Sequence, residues 1–313
     1  MKTITLLPVK NEAWILPYVL ENFSQFSDHI IIADQHSTDG SRDIYKRFPK
    51  VSIIDNNFTG ASNKIRWDLL REARKIPGNN LIICLDADEL LSPKAVEAMK
   101  TFGNEKAVSF QADWIQLIED GTKYRIDGVW KDSTKEFAFI DDKSSVQYEE
   151  KELLIDHTAR IPNIKNQFKT EYPILHLHYM AKARSEIKQV WYMCTELLGG
   201  INPLRINHRY SVAQFNNVKP ARIEPEWTEG ITMPPTEVFA DIYEERQNEV
   251  LDMLAKKGIL FFEPLDIWHI PKLRELFIKE IGREPKPTIA PRWLLMLNDV
   301  KNKVKNLYCA FSA

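Results

Sequence analysis

Residues 81–90 read Leu-Ile-Ile-Cys-Leu-Asp-Ala-Asp-Glu-Leu, and the fold follows from what stands on either side of them. Residues 81–85 are continuously apolar, as a strand covered on both faces is. The carboxylates of Asp86, Asp88 and Glu89 come directly after. Upstream, one rhythm repeats. A β-branched run at 4–9 precedes a helical pattern through Trp14, Ile15, Tyr18, Val19 and Phe23. A second strand at 29–33 carries three consecutive isoleucines, and a short helix follows with Ile44, Tyr45 and Phe48. A third strand at 51–54 leads to a helix from about residue 62, with Ile65, Leu69, Leu70 and Ala73 at helical spacing, stopped by Pro77-Gly78. Alternation of this kind predicts an α/β fold with a doubly wound, mostly parallel sheet. In such sheets ligands bind beyond the carboxyl ends of the strands.

Those ends are polar and mostly acidic: Lys10-Asn11-Glu12, then Asp34 through Asp39, then Asn56-Asn57, then Asp86 through Glu89. Two carboxylates one residue apart, fixed by a buried strand, can face a divalent cation from one side. Mg²⁺ and Mn²⁺ accept such oxygen ligands and keep substrate phosphates as others. No glycine-rich phosphate loop follows the first strand, and no GxxxxGK[ST] occurs among the 11 glycines. A dehydrogenase or a P-loop enzyme is therefore not expected; phosphates would be held by metal instead. Asp39, in Thr-Asp-Gly-Ser ahead of a helix, reads as turn and capping chemistry.

Beyond residue 94 the pattern changes. A helix with Val96 and Met99, a strand at 107–118, hairpins over 123–151, a strand at 173–179 and a helix at 183–198 are predicted. Pro220, Pro225, Pro234 and Pro235 mark a linker, with helices at about 236–257 and 271–281 beyond it. The expected division is a catalytic domain over 1–220 and a helical region over 221–313.

Composition sets outer limits. Lys+Arg 42 against Asp+Glu 44 leave a formal charge of -2, which gives no basic footprint for nucleic acid. The 3 cysteines, Cys84, Cys194 and Cys309, form neither a disulfide framework nor a zinc pattern, and fit a reducing cytoplasm. Cys84 reads as a small core residue. No apolar run approaches the roughly 18 residues of a membrane span. The tail at 292–305 sets Trp293, Leu294, Leu297, Val300 and Val304 on one side of a helix with Arg292, Lys301, Lys303 and Lys305. It suits either packing on its own domain or peripheral contact with the inner face of the plasma membrane.

The pieces LLPVKNEAWIL, IIIADQHSTDGS and ICLDADEL, in this order, resemble the family 2 type of GT-A glycosyltransferases over roughly residues 1–92. The resemblance implies a Rossmann-like GT-A domain and a nucleoside-diphosphate sugar donor. By position, Pro8, Val9 and Glu12 would line the nucleoside pocket, and Asp34 would bond the base or ribose. Asp86 would contact the ribose or an ordered water with Ala87 on the donor side, Asp88 would hold Mg²⁺ or Mn²⁺, and Lys64 and Arg66 would be the polar residues of the helix before the DxD strand. Gln35 departs from the usual acidic second position of that loop. Such enzymes often complete the metal site with a late histidine, and His176 or His178, two apart on one strand face, would supply it.

An inverting transferase also needs a base for the acceptor hydroxyl. The middle segment offers Asp113, Asp132, Asp156 and His157, with Trp130 as a sugar platform and Lys135 as a phosphate partner. The expected activity is metal-dependent transfer, with inversion, of a sugar to a hydroxyl of a glycan or lipid-linked saccharide in polysaccharide biosynthesis. The rival readings are a nucleotidyltransferase, for which 8–12 is not the glycine-rich basic loop required, and a degenerate domain that binds a sugar nucleotide or glycan without turnover.

Overall fold

A computed structural model describes residues 1–58, 64–103, 108–143, 160–211 and 218–288. The chain runs β1 (Thr3–Val9), α1 (Leu16–Phe26), β2 (His29–Asp34), α2 (Ser41–Tyr45), β3 (Val51–Asp55), α3 (Lys64–Ala73), β4 (Asn80–Cys84), β5 (Glu89–Leu90), α4 (Pro93–Lys100), β6 (Val108–Ile118), β7 (Lys123–Arg125), β8 (Thr134–Asp141), β9 (Asn166–Lys169), β10 (Ile174–His176), α5 (Lys182–Leu198), α6 (Pro203–Ser211), β11 (Pro220–Arg222), α7 (Glu244–Lys257) and α8 (Pro271–Ile281). It divides into two compact units, Met1–Ser185 with Asn216–Ile242, and Glu186–Phe215 with Tyr243–Ala313.

In the first unit the sheet order is β11-β7-β6-β8-β4-β1-β2-β3. β4, β1, β2 and β3 are mutually parallel, as the alternating pattern predicts. β8 then pairs antiparallel to both β4 and β6, so the sheet becomes mixed on that side. The apolar runs are explained by two-sided burial. Leu7, Ile30, Ile32, Leu81 and Ile83 pack with Leu16, Val19, Leu20 and Phe23 of α1. Their neighbours Ile4, Leu6, Ile31, Ala33, Ile82 and Cys84 pack on the opposite face with Ile65, Leu69, Leu70 and Ala73 of α3. Successive strand side chains point to opposite faces, so a strand sandwiched between helices must be apolar at every position. Cys84 is fully buried in that second core.

Two expectations change. The strand foreseen at 173–179 shortens to Ile174–His176, which runs parallel to β6 and antiparallel to β5. The proline-marked stretch is no free linker. Its Pro220–Arg222 pairs with β7, and Ser92 Oγ donates to the Glu229 carbonyl at 3.0 Å. Prolines suit such an edge strand, where a missing N–H is tolerated.

The second unit is helical. Val190, Met193, Cys194 and Leu197 of α5 share a core with Val250, Leu254, Leu273 and Phe277. The last helix foreseen, at 292–305, and Cys309 lie outside the described residues. Among the described residues no helix is long and apolar enough to cross a membrane.

Candidate functional site

The carboxyl ends of β1, β2 and β4 deliver the acidic residues to one edge of the sheet, as the fold rule requires. There Asp88, His176 and His178 come together, their ligand atoms all within 4.8 Å of one another. His176 Nε2 is 3.3 Å from Asp88 Oδ2, and His178 Nδ1 is 3.8 Å from the same oxygen. β10 makes this possible by laying His176 opposite Glu89 in the ladder, while the Leu177 N–H donates to the Asp88 carbonyl at 2.9 Å. Sequence reasoning sought one histidine; the fold brings both. His178 lies past the end of the strand, yet its ring stacks on that of His176 at 5.4 Å with 10° between planes.

Each imidazole is turned inward by a hydrogen bond on its far side. His176 Nδ1 meets Gln116 Oε1 at 2.5 Å, which leaves Nε2 facing Asp88. His178 Nε2 meets Ser185 Oγ at 2.9 Å, leaving Nδ1 toward the same carboxylate. Outer partners of this kind fix the tautomer and ring angle of metal-binding histidines. Trp114 stacks on His176 at 4.6 Å and, through its own indole N–H, donates to Glu89 at 2.5 Å.

Beside this triad lies a network of ion pairs. Arg66 donates to Asp86 Oδ1 at 2.7 Å. Arg160 donates to Asp86 Oδ2 at 2.6 Å and to both oxygens of Glu89 at 2.7 and 2.9 Å. Burial pushes the Asp86 carboxyl up, but the guanidinium groups of Arg160 and Arg66 outweigh it and bring it down to about 2. Glu89 is wholly buried, whereas the Asp86 side chain stays 38% exposed. A third cation, Lys135 at the start of β8, stands with its ammonium 4.5 Å from the centre of the Trp114 ring. Burial holds its pKa below the usual lysine range, and the charge of Arg160 adds to that.

The β1 and β2 ends form a tied pair of loops. Asp34 is fully buried; it accepts from Arg42 Nε at 2.8 Å, Tyr45 OH at 2.8 Å and the Ser37 N–H at 3.0 Å. Asp39 accepts from Ser41 N–H and Oγ and from the Ala13 N–H, the turn chemistry its sequence suggests, while the N-cap of α2 is Gly40 with no side-chain bond. Asn11 and His36, both in the left-handed region (φ 54° and 52°), close the turns; such backbone is costly for non-glycine residues and gathers at functional sites. The Glu12 carboxylate takes Trp14 Nε1 at 2.5 Å and Arg184 at 3.0 Å, and Arg184 also reaches the Asn11 carbonyl at 2.7 Å.

Of the other expected site residues, Val9 and Ala87 are buried, Pro8 and Arg66 half-buried, and Lys64 exposed at the start of α3. Asp132 is exposed in the turn after Trp130, whose ring meets Trp114 at 5.9 Å and Tyr179 at 5.4 Å. Asp113 pairs with Lys169 at 2.7 Å. Asp156 and His157 lie outside the described residues. Sequence reasoning missed Gln116, Ser185, Arg184 and the anchoring role of Arg160. Gln116 had a signal, a polar residue within the apolar run Ile115–Ile118; the others had none.

Residues 5–131 match the family model described as glycosyl transferase family 2. Over this region the chain is similar to family 2 glycosyl transferases, and the resemblance read from the first 92 residues extends through β6 and β7. No curated protein gives a sequence match. Among solved structures, S. aureus TarS 1-349 aligns over 90% of this chain and 92% of its own at 11% identity and a TM-score of 0.40. A 4-diphosphocytidyl-2C-methyl-D-erythritol synthase aligns over 38% of this chain and 62% of its own, at 16% identity and 0.30. A putative glucose-1-phosphate thymidylyltransferase from Bacillus anthracis aligns over 38% and 56%, at 14% and 0.28. The chain thus spans less than two thirds of either nucleotide-handling structure.

Proposed function

We propose that this chain moves a sugar from a nucleoside-diphosphate sugar to a hydroxyl of a glycan or lipid-linked saccharide, with inversion and with a divalent metal. The observation that carries the reading is the meeting of Asp88, His176 and His178 at the carboxyl edge of the sheet whose residues 5–131 match the family 2 model. A carboxylate oxygen and two imidazole nitrogens converge there, each imidazole held in place by a partner on its far side. One carboxylate oxygen and two imidazole nitrogens within reach of one point are a donor set that fits Mn²⁺ or Mg²⁺. Such an ion, when bound, neutralises charge gathering on the diphosphate leaving group.

The protein's own residues would do the positioning. Asp86, clamped by Arg66 and Arg160 yet open to solvent, is aimed to accept from a ribose hydroxyl. Pro8, Val9, Glu12, Lys64 and Ala87 would line the donor side. Asp34 would act through the loop it holds, because its carboxylate is enclosed. Asp132 is the base candidate within the described residues, beside the Trp130 ring on which an acceptor sugar would stack; Asp156 and His157 are the alternatives outside them. The enzyme would work in the cytoplasm, with peripheral membrane contact through residues 292–305.

The test is a thermal-shift series with nucleoside diphosphates and sugar nucleotides, each with and without Mn²⁺, on wild type and Asp88→Asn. Stabilisation of wild type by metal and one nucleotide together, lost in the variant, supports the reading; about 2.7 kcal/mol is expected at a hundred times the dissociation constant. Equal stabilisation of both proteins would remove Asp88 from the metal site. Nucleotide binding without any transfer or hydrolysis would leave a binding module.

A further inference from the structure

Among the described residues, Arg66, Arg160 and Lys135 stand beside the site, and they are not equivalent. Arg66 is paired with Asp86, and Arg160 with Asp86 and Glu89. Lys135 has no carboxylate within ion-pair distance among the described residues; its ammonium is instead drawn over the face of Trp114. The strand register explains the position. Lys135 sits opposite Ala112, so its side chain shares a sheet face with Trp114, two residues on. The ring beneath it stacks on His176. A half-buried ammonium beside a guanidinium is costly unless an anion arrives to meet it, and a tryptophan face compensates it only in part.

The charges of the whole cluster point the same way. Among the described residues named here, the cations Arg66, Arg160 and Lys135 equal the carboxylates Asp86, Asp88 and Glu89 in number. A divalent ion on Asp88, His176 and His178 would then leave an excess of positive charge, of the size and sign that a diphosphate diester balances. The geometry assigns Lys135 as the direct partner of the donor's diphosphate oxygens, on the Trp114 side of the metal triad; the assignment rests on the donor reading above.

The experiment measures two affinities on wild type, Lys135→Met and Lys135→Arg. Mn²⁺ alone is followed by electron paramagnetic resonance. UDP, GDP, CDP, ADP and dTDP are titrated calorimetrically at saturating Mn²⁺, and the tightest binder of wild type carries the comparison. The expected result is a Lys135→Met variant whose Mn²⁺ affinity stays within twofold of wild type while its nucleoside-diphosphate affinity falls at least tenfold, with Lys135→Arg recovering most of the loss. Unchanged nucleotide affinity in Lys135→Met overturns the assignment and leaves this lysine to another anion, such as one on the acceptor. Equal loss in Lys135→Met and Lys135→Arg also overturns it, because a packing role would be lost in both. Wild type that binds Mn²⁺ but none of the nucleotides would instead reject the donor reading itself.

Discussion

His176 approaches Asp88 through one ring nitrogen, 3.3 Å from the carboxylate, and Gln116 through the other, at 2.5 Å. The strand that carries Gln116 thus sets the angle of an imidazole contributed by its parallel neighbour β10. Loss of the amide would free the ring to rotate and to exchange tautomers. Gln116→Ala is expected to weaken Mn²⁺ binding by about 10- to 100-fold, the range seen for outer partners of metal-bound histidines. Ser185→Ala, which acts on His178 in the same way, should show a loss of similar size. Calorimetric titration with Mn²⁺ checks both; a change under twofold in either would mean that the serine or glutamine does not orient the ring.

The composition of the triad carries a prediction about the ion. Two imidazoles and one carboxylate suit first-row transition ions better than Mg²⁺, which prefers oxygen ligands in strict octahedral order. Mn²⁺ is therefore expected to bind the free enzyme at least tenfold more tightly than Mg²⁺. Competition of Mg²⁺ against bound Mn²⁺, followed by electron paramagnetic resonance, reads this directly. Equal affinities would point to a site built from Asp88 and substrate oxygens, with the histidines outside it.

Asp34 carries a stability prediction with a defined pH range. Burial pushes its carboxyl up, but Arg42, the Ser37 N–H and the Tyr45 hydroxyl hold it below the ordinary aspartate range. A depressed folded-state pKa contributes stability that is fully present above the unfolded value of about 4, and is lost as pH falls through the folded value. Asp34→Asn should cost about 2–3 kcal/mol at neutral pH, since Tyr45 and Ser37 lose a charged acceptor and Arg42 is partly solvated. The gap between wild type and variant should stay constant above about pH 5 and narrow below about pH 4. Urea unfolding at several pH values measures it; a gap that does not narrow in acid would assign the cost to packing.

How much of this was legible in the sequence differs from one residue to the next. The sheet was readable because strands buried on both faces must be apolar throughout, and residues 30–32 and 81–85 are. Asp88 could be placed because residues 81–85 read as the fourth strand, so the carboxylates that follow must stand at its carboxyl end. His176 and His178 were readable as a pair on one face, although no strand pattern could say that β10 lies beside β5 and aims both at one oxygen. Asp34 was located correctly at its strand end, yet its enclosure by Arg42 and Tyr45 depends on where α2 folds back, which periodicity does not encode. The role of Arg160 was hidden for the same reason: it is separated from Asp86 by 74 residues, and only the tertiary fold closes that distance.

Arg160 carries the last prediction. Its guanidinium is nearly enclosed and serves two carboxylates, one of them, Glu89, wholly buried. Removing one partner of such a pair leaves a charge in a poorly solvated place, so Arg160→Met should destabilise the fold by about 3–5 kcal/mol. Glu89 keeps Trp114 Nε1 and the Asp86 N–H as donors, which limits the loss without cancelling it. The pairing itself is isolated by adding Glu89→Gln, whose neutral amide no longer needs the arginine. The double variant should be more stable than the sum of the single losses predicts by about 0.5–3 kcal/mol, the coupling typical of contacting residues. Strict additivity would mean that Arg160 is held by Asp86 alone, and that Glu89 serves to position Trp114 under Lys135.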